Sequence, residues 1–282
     1  MTSYEAPAKV NLSLLVSPPR SDGYHPLASL VQTVEWCDTL RVARGEEGRD
    51  DLESEIEDNL VSRALAVVRE FGSVPPLRVQ LVKEIPIAAG LGGGSSDAAA
   101  ALKAAADFGS VPSDFLPAAA SRVGADVSLF LTGGTLMMSG VGDEIESVLP
   151  ASGFAVAIVV PGFGLSTGDV YRRWDELEGP EGRPLDDDRL PPSLRGRMPM
   201  RNDLLPAALS VEPALGDFMA DVAAVWGSTV ALTGSGSACF GYFPTLDEAE
   251  DAASAVTHLT DQGRGAALRP HGVARLPNPV PE

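Results

Sequence analysis

From Gly90 to Asp97 the chain reads Gly-Leu-Gly-Gly-Gly-Ser-Ser-Asp, directly ahead of an alanine-rich stretch. Glycines let backbone N–H groups approach an anion closely. The first turn of a helix adds N–H donors without intrahelical partners, and the positive end of its dipole. The combination suits phosphate, with Pro86, Ile87, Ala88 and Ala89 leading into it. Ser95 and Ser96 would supply further donors, or oxygens for a magnesium ion, and a branched side chain at Gly93 is expected to obstruct the phosphate. The segment is not a Walker A loop, because no Lys-Ser or Lys-Thr pair follows, and no Gly-x-Gly-x-x-Gly frame fits Gly90 to Ser96. Neither a His-Arg-Asp loop nor a Gly-x-Ser-x-Gly elbow occurs, which disfavours a eukaryotic-type protein kinase and an α/β-hydrolase.

Three other groups invite a chemical reading. Thr233-Gly234-Ser235-Gly236-Ser237 is a second glycine cluster. It reads either as a tight connection or as a second wall of the phosphate site. Lys9 and Asn11 are two residues apart, so both leave one face of a strand, either as a solvated polar face or as paired site residues. Asp126 follows Gly124-Ala125 and precedes an apolar run, so it either ends an element or presents a carboxylate to a reacting group. The only lysines are Lys9, Lys83 and Lys103; all other basic side chains are arginine.

These groups need elements to hold them. Apolar and polar residues alternate over 8–16, as in a half-buried strand, and Ser21-Asp22-Gly23 reads as a turn. Strands are expected at 27–35, 39–42 and 77–83. Asp58 is a candidate cap for a helix over 59–71, Gly109 should stop the helix that follows the glycine loop, and a further helix is expected at 113–123. The stretch 133–148 has the glycine punctuation of a hairpin. Pro150 and Ser152-Gly153 mark a seam, and 1–150 and 151–282 read as two domains. Beyond the seam come a strand at 154–160 and a helix to Trp174 capped by Ser166. A Pro-, Gly-, Asp- and Arg-rich connector at 178–199 is expected to be exposed. Helices at 202–209, 213–226 and 246–259 alternate with strands near 229–232, 238–243 and 265–269. The expected fold is α+β in two lobes.

With 39 acidic against 21 basic residues, the formal net charge is −18. Such a surface disfavours nucleic acid and anionic membranes, so phosphate must be handled in a local pocket. Two cysteines, Cys37 and Cys239, are too few for a disulfide scaffold or zinc cluster and accord with a reducing compartment. No apolar run reaches the ~18 residues of a membrane span, and no secretory signal is evident. A cytoplasmic chain is expected.

Pro7-Ala8-Lys9-Val10-Asn11-Leu12, Asp22-Gly23-Tyr24-His25, the segment 86–97, Gly124-Ala125-Asp126-Val127, Asn202-Asp203-Leu204 and Leu232-Thr233-Gly234-Ser235-Gly236 occur in that order. Together they resemble the GHMP small-molecule kinases over residues 6–243. The resemblance implies a two-lobe fold with the active site in the cleft, and ATP with Mg²⁺. It implies an ATP site at 86–96 with Gly234, Ser235 and Gly236, and Lys9 and Asp126 as the catalytic pair. Asp-Gly-Tyr-His implies the branch acting on a cytidine-diphosphate-linked polyol, phosphorylated at its 2-hydroxyl to give the 2-phosphate and ADP. Homoserine, mevalonate and sugar kinases are the alternatives. Asn11, Tyr24, His25, Thr167 and Tyr171 would then bind the substrate, with cytosine between the two tyrosine rings, in a monomer or weak homodimer.

Overall fold

A computed structural model of the chain describes residues 1–46, 48–54, 59–150, 153–186, 190–196, 198–260 and 262–277. Two long strands, β1 (Thr2–Val16) and β2 (Leu27–Arg44), form an antiparallel pair at the centre of the first sheet. Around them lie β3 (Asp51–Glu53), β4 (Leu77–Val82), β5 (Thr135–Ser139) and β6 (Glu144–Leu149). The second sheet holds β7 (Ala155–Val160), β8 (Ala231–Leu232), β9 (Cys239–Phe243) and β10 (Gln262–Ala267) in the order β10-β7-β9-β8. The last strand, β11 (Ala274–Arg275), returns to the first sheet beside β1. Buried Arg269 ties this returning segment down through Glu5 and Glu35, at 2.8 and 2.9 Å.

Helices α1 (Leu60–Val68), α2 (Gly93–Phe108), α3 (Leu116–Val123) and α4 (Val127–Thr132) pack with the first sheet around one core. Side chains of both sheets, including Val10, Leu30, Ile158 and Phe240, share a second core. Helices α5 (Thr167–Glu176), α6 (Leu205–Val211) and α7 (Ala214–Trp226) enclose a third, and α8 (Leu246–Ala255) a small alanine-rich fourth.

One irregularity in β1 matters for the site. The β1–β2 register shifts between Pro7 and Ala8. Before the shift Tyr4 and Ala6 enter the helix-side core; after it Ala8, Val10 and Leu12 enter the core between the sheets. A bulge re-aims the side chains beyond it. Here it turns Lys9 and Asn11 towards α2 and the cavity beside it.

Several expectations are corrected. The strands expected at 27–35 and 39–42 are one strand, β2, because the shift bends the ladder without ending it. Asp58 lies outside the described residues; the side chain capping α1 is Asn59, whose Oδ1 accepts from Val61 N at 2.9 Å. The connector is not uniformly exposed, since Leu190 and Leu194 are buried in the core between the sheets. Its polar composition masked two apolar anchors.

Candidate active site

The glycine loop connects β4 to α2 and meets the second glycine cluster directly. Ala238 N donates to Ala89 O at 3.0 Å, and Lys9 N donates to Leu91 O at 2.9 Å. Gly90 has φ +79°, and a Cβ there would stand 2.7 Å from Thr233 O, so only glycine lets the two walls touch. Gly92, at φ +73°, is closed in by Phe130 and by the stem of Lys9. The second cluster is held from behind by Asn202, whose Nδ2 donates to Leu232 O and Gly234 O at 2.9 and 2.8 Å. Asp203 anchors neighbouring backbone, accepting from Val16 N and Gly182 N.

Two cavities open on either side of the loop. The larger, about 760 Å³, is lined by Lys9, Asn11, Tyr24, His25, Asp126, Thr167, Tyr171, Gly234 and Ser235, among others. The smaller, about 300 Å³, is lined by the whole run 86–95 together with Asn59, Leu60, Lys83 and Asp97. Gly90, Gly92 and Ser95 line both. The structure thus brings together nearly every residue the sequence singled out. Gly236 and Ser96 are the exceptions: both are buried and line neither cavity, and Ser96 Oγ has no hydrogen-bond partner.

Lys9 is 5% exposed. Its Nζ donates to Asn11 Oδ1 and to Gly90 O, both at 2.6 Å. Burial holds the ammonium below the usual lysine range, and the charge of Asp126 opposes that shift. Asn11 is a holder more than a free contact group. Its Nδ2 donates to Ser29 Oγ, its N–H donates to Thr233 Oγ1, and its Oδ1 accepts from Lys9. Asp126 stands at the N-terminus of α4, half-buried, and its carboxylate carries no hydrogen bond among the described residues. It is therefore available to a hydroxyl in the larger cavity.

At the other end of that cavity α5 presents Tyr171, Arg172 and Asp175. Ser166 caps this helix, accepting from Asp169 N. Thr167 Oγ1 lies 2.8 Å from Ser235 Oγ, which joins α5 to the second glycine cluster. The arrangement departs from a sandwich of two tyrosines. The ring against Tyr171 is that of His25, with centroids 5.1 Å apart, while Tyr24 is 62% exposed. His25 Nε2 lies 3.4 Å from Asp175 Oδ2, and Nδ1 lies 3.1 Å from Ser17 O. Burial, then the charge of Asp126, pushes the Tyr171 hydroxyl up to about 12.

Sequence reasoning missed the polar cluster beneath the loop. Lys83 Nζ donates to Asp38 and, at 2.7 Å, to Asp97 Oδ2. These carboxylates outweigh the burial that would lower Lys83 and leave it above the usual lysine range. Burial and then the Asp38 charge push Asp97 up to about 7. A Cβ at Gly93 would lie 3.1 Å from Lys83 Nζ and 3.3 Å from Asp38 Oδ2, so this glycine, which also lines the smaller cavity, makes room for the cluster. The scarcity of lysine was the one signal pointing to Lys83.

The N-terminal domain of the GHMP kinases matches residues 59–134. The 4-diphosphocytidyl-2-C-methyl-D-erythritol kinase of Rhizobium leguminosarum is 36% identical over 271 residues, covering 89% of each chain. That of Paramagnetospirillum magneticum is 37% identical over 273 residues, covering 90% of this chain and 94% of its own. A crystal structure of 4-(cytidine 5'-diphospho)-2C-methyl-D-erythritol kinase superposes with TM-score 0.80 at 34% identity, covering 94% of this chain and 98% of that one. The two cavities sharing one glycine loop, with Lys9 and Asp126 on the larger, are therefore found in a chain that belongs to the 4-diphosphocytidyl-2-C-methyl-D-erythritol kinases of the GHMP kinase family.

Proposed function

We propose that the chain transfers the γ-phosphoryl group of ATP to the 2-hydroxyl of 4-diphosphocytidyl-2-C-methyl-D-erythritol, giving the 2-phosphate and ADP in non-mevalonate isoprenoid precursor synthesis. The observation that carries this reading is the pair of cavities meeting at Gly90, Gly92 and Ser95. Phosphoryl transfer needs two substrates aligned across a shared phosphate position more than it needs covalent chemistry. In this reading ATP occupies the smaller cavity, its phosphates held by the loop 86–95 and the first turn of α2. The polyol lies in the larger cavity with its hydroxyl at Asp126, which accepts or orients the proton. Lys9, fixed by Asn11 and Gly90 O, stabilises charge on the transferring group.

The residues present fit a magnesium ion carried by the nucleotide. Ser95, in the first turn of α2, lines both cavities. Ser95 and the phosphate oxygens would hold Mg²⁺, which neutralises phosphate charge when bound. Tyr24, His25, Thr167 and Tyr171 receive the cytidine end. The reading also takes the chain as a cytoplasmic monomer or weak homodimer with small-molecule partners; no described helix is long and apolar enough to cross a membrane.

A coupled assay of ADP formation tests the reading. ADP should appear only when ATP and the cytidylyl substrate are both present. ADP release with homoserine, mevalonate or a sugar, and none with the cytidylyl substrate, would overturn it.

A further inference from the structure

Asp38 has no part in the chemistry above, yet it is fully buried and lines neither cavity. It sits where β4 leaves β2. The ladder ends at the pair Thr39 and Val82. Beyond it the N–H groups of Glu84 and Ile85 donate to Asp38 Oδ1, at 2.6 and 2.8 Å. The other oxygen accepts from Lys83 Nζ, whose second bond goes to Asp97 in α2. One carboxylate on the neighbouring strand thus ties the chain entering the glycine loop and, through Lys83, the helix leaving it. Between those ties Ala88, Gly90 and Gly92 all have positive φ, a conformation that surrounding structure must enforce, most of all at Ala88. The upper side of the loop is pinned by Lys9 N and Ala238 N. Its base is held by the Asp38 cluster, beside which Trp36 Nε1 donates to Glu84 O at 3.0 Å.

We propose that Asp38 is a positioning residue for the phosphate loop, holding the loop in its nucleotide-binding shape from below without touching the nucleotide. This rests on reading 86–95 as the ATP loop. Asp38→Asn separates the two ties. Its amide oxygen can still accept from Glu84 and Ile85, while its NH₂ faces the Lys83 ammonium, donor against donor.

The test uses the full chain, titrated by calorimetry with a magnesium complex of a non-hydrolysable ATP analogue and, separately, with the cytidylyl substrate. Asp38→Asn should weaken the analogue at least tenfold and the cytidylyl substrate less than twofold. Amide hydrogen exchange should quicken at 84–92 and stay unchanged at 239–243. If Asp38→Asn does not fold, Asp97→Ala cuts the exit tie. Because Asp97 also lines the smaller cavity, the support it gives is faster amide exchange at 84–92 together with a selective loss of about threefold, and unchanged exchange there would overturn the proposal. Unchanged analogue affinity in a folded variant would overturn the proposal, as would equal weakening of both ligands. Failure of the wild-type chain to bind the analogue would instead remove the ATP reading itself.

Discussion

The two ends of the reacting pair are built differently. At the phosphate end, backbone does the holding: Gly90 touches the second glycine cluster, Lys9 is buried, and Asp38, Lys83 and Asp97 brace the loop from beneath. At the base end, side chains stand on one helix and one turn, with Tyr24 62% exposed and the Asp175 side chain 43% exposed. The contrast follows from what each end must recognise. Charge developing on a transferring phosphoryl group is best stabilised by donors already in place, because reorganising them would raise the barrier. A stacked base gains most of its affinity from apolar contact and tolerates side chains that settle around it. In the proposed reading a base that stacks on Tyr171 would displace the His25 ring resting there.

Four sets of substitutions break or sharpen this comparison. The largest effect is expected at the reacting atoms. Asp126→Asn should lower kcat by roughly 10²–10⁴-fold while leaving both ligands bound, since general acid–base assistance contributes about that much. Near wild-type turnover in the folded variant would reassign Asp126. Lys9→Arg should not rescue Lys9→Ala, because the larger guanidinium must enter a site where Asn11 and Gly90 O already grip a compact ammonium.

The next effect separates tied from untied glycines. Gly90→Ala forces a side chain into φ +79° and against Thr233 O. It should cost about 1–3 kcal/mol of stability and weaken ATP. Gly94→Ala meets nothing nearer than Leu60 at 4.0 Å and should stabilise the chain by about 0.4–1 kcal/mol. Thermal unfolding of the pair reads the difference, and equal shifts would refute the picture of a locked wall.

At the base end, Tyr171→Ala should raise KM for the cytidylyl substrate by about fivefold to a hundredfold, in line with stacking of roughly 1–3 kcal/mol per base, and leave KM for ATP nearly unchanged. Tyr24→Ala should act in the same direction with little change in Tm, since that ring is exposed. An unchanged cytidylyl KM in Tyr171→Ala would make Tyr171 a packing residue only.

The smallest effect is a pH slope. The Asp97 carboxyl is raised from 3.8 to about 7 in the folded chain, so its contribution is fully present below pH 3.8 and is lost as pH rises through 7. Without nucleotide or magnesium, Asp97→Asn should gain stability relative to wild type as pH climbs from 4 to 8. A Tm difference that stays flat over that range would contradict the assignment.

Much of the site was legible in residue order. The glycine–serine run, the Lys9–Asn11 spacing and Asp126 each carry a local requirement: close backbone approach, one strand face, an element terminus. Of the three lysines, two reach the site, and Lys103 ties the returning C-terminal segment through Val273 O at 2.9 Å. The end of α2 also followed from its neighbour in sequence, Gly109, while its start at Gly93 lies inside the segment read as the glycine loop.

What remained hidden depends on residues far apart in the chain. Periodicity places Lys9 and Asn11 on one face, but only the register shift against β2 decides which core that face meets. Asp38 falls between the strands expected at 27–35 and 39–42 and carries no signal until β4 departs beside it and leaves two N–H groups for its carboxylate. Gly93 reads as a residue of the phosphate loop, but its second constraint, Lys83 and Asp38 beside it, comes from other parts of the chain. The 178–199 connector reads as solvent-exposed until Leu190 and Leu194 find the core between the sheets. Short-range patterns state what a segment can do alone. Which donor lacks a partner, and which charge is buried beside it, is settled only when strands from distant parts of the chain are packed together, because desolvation and hydrogen-bond satisfaction are properties of the assembled interior.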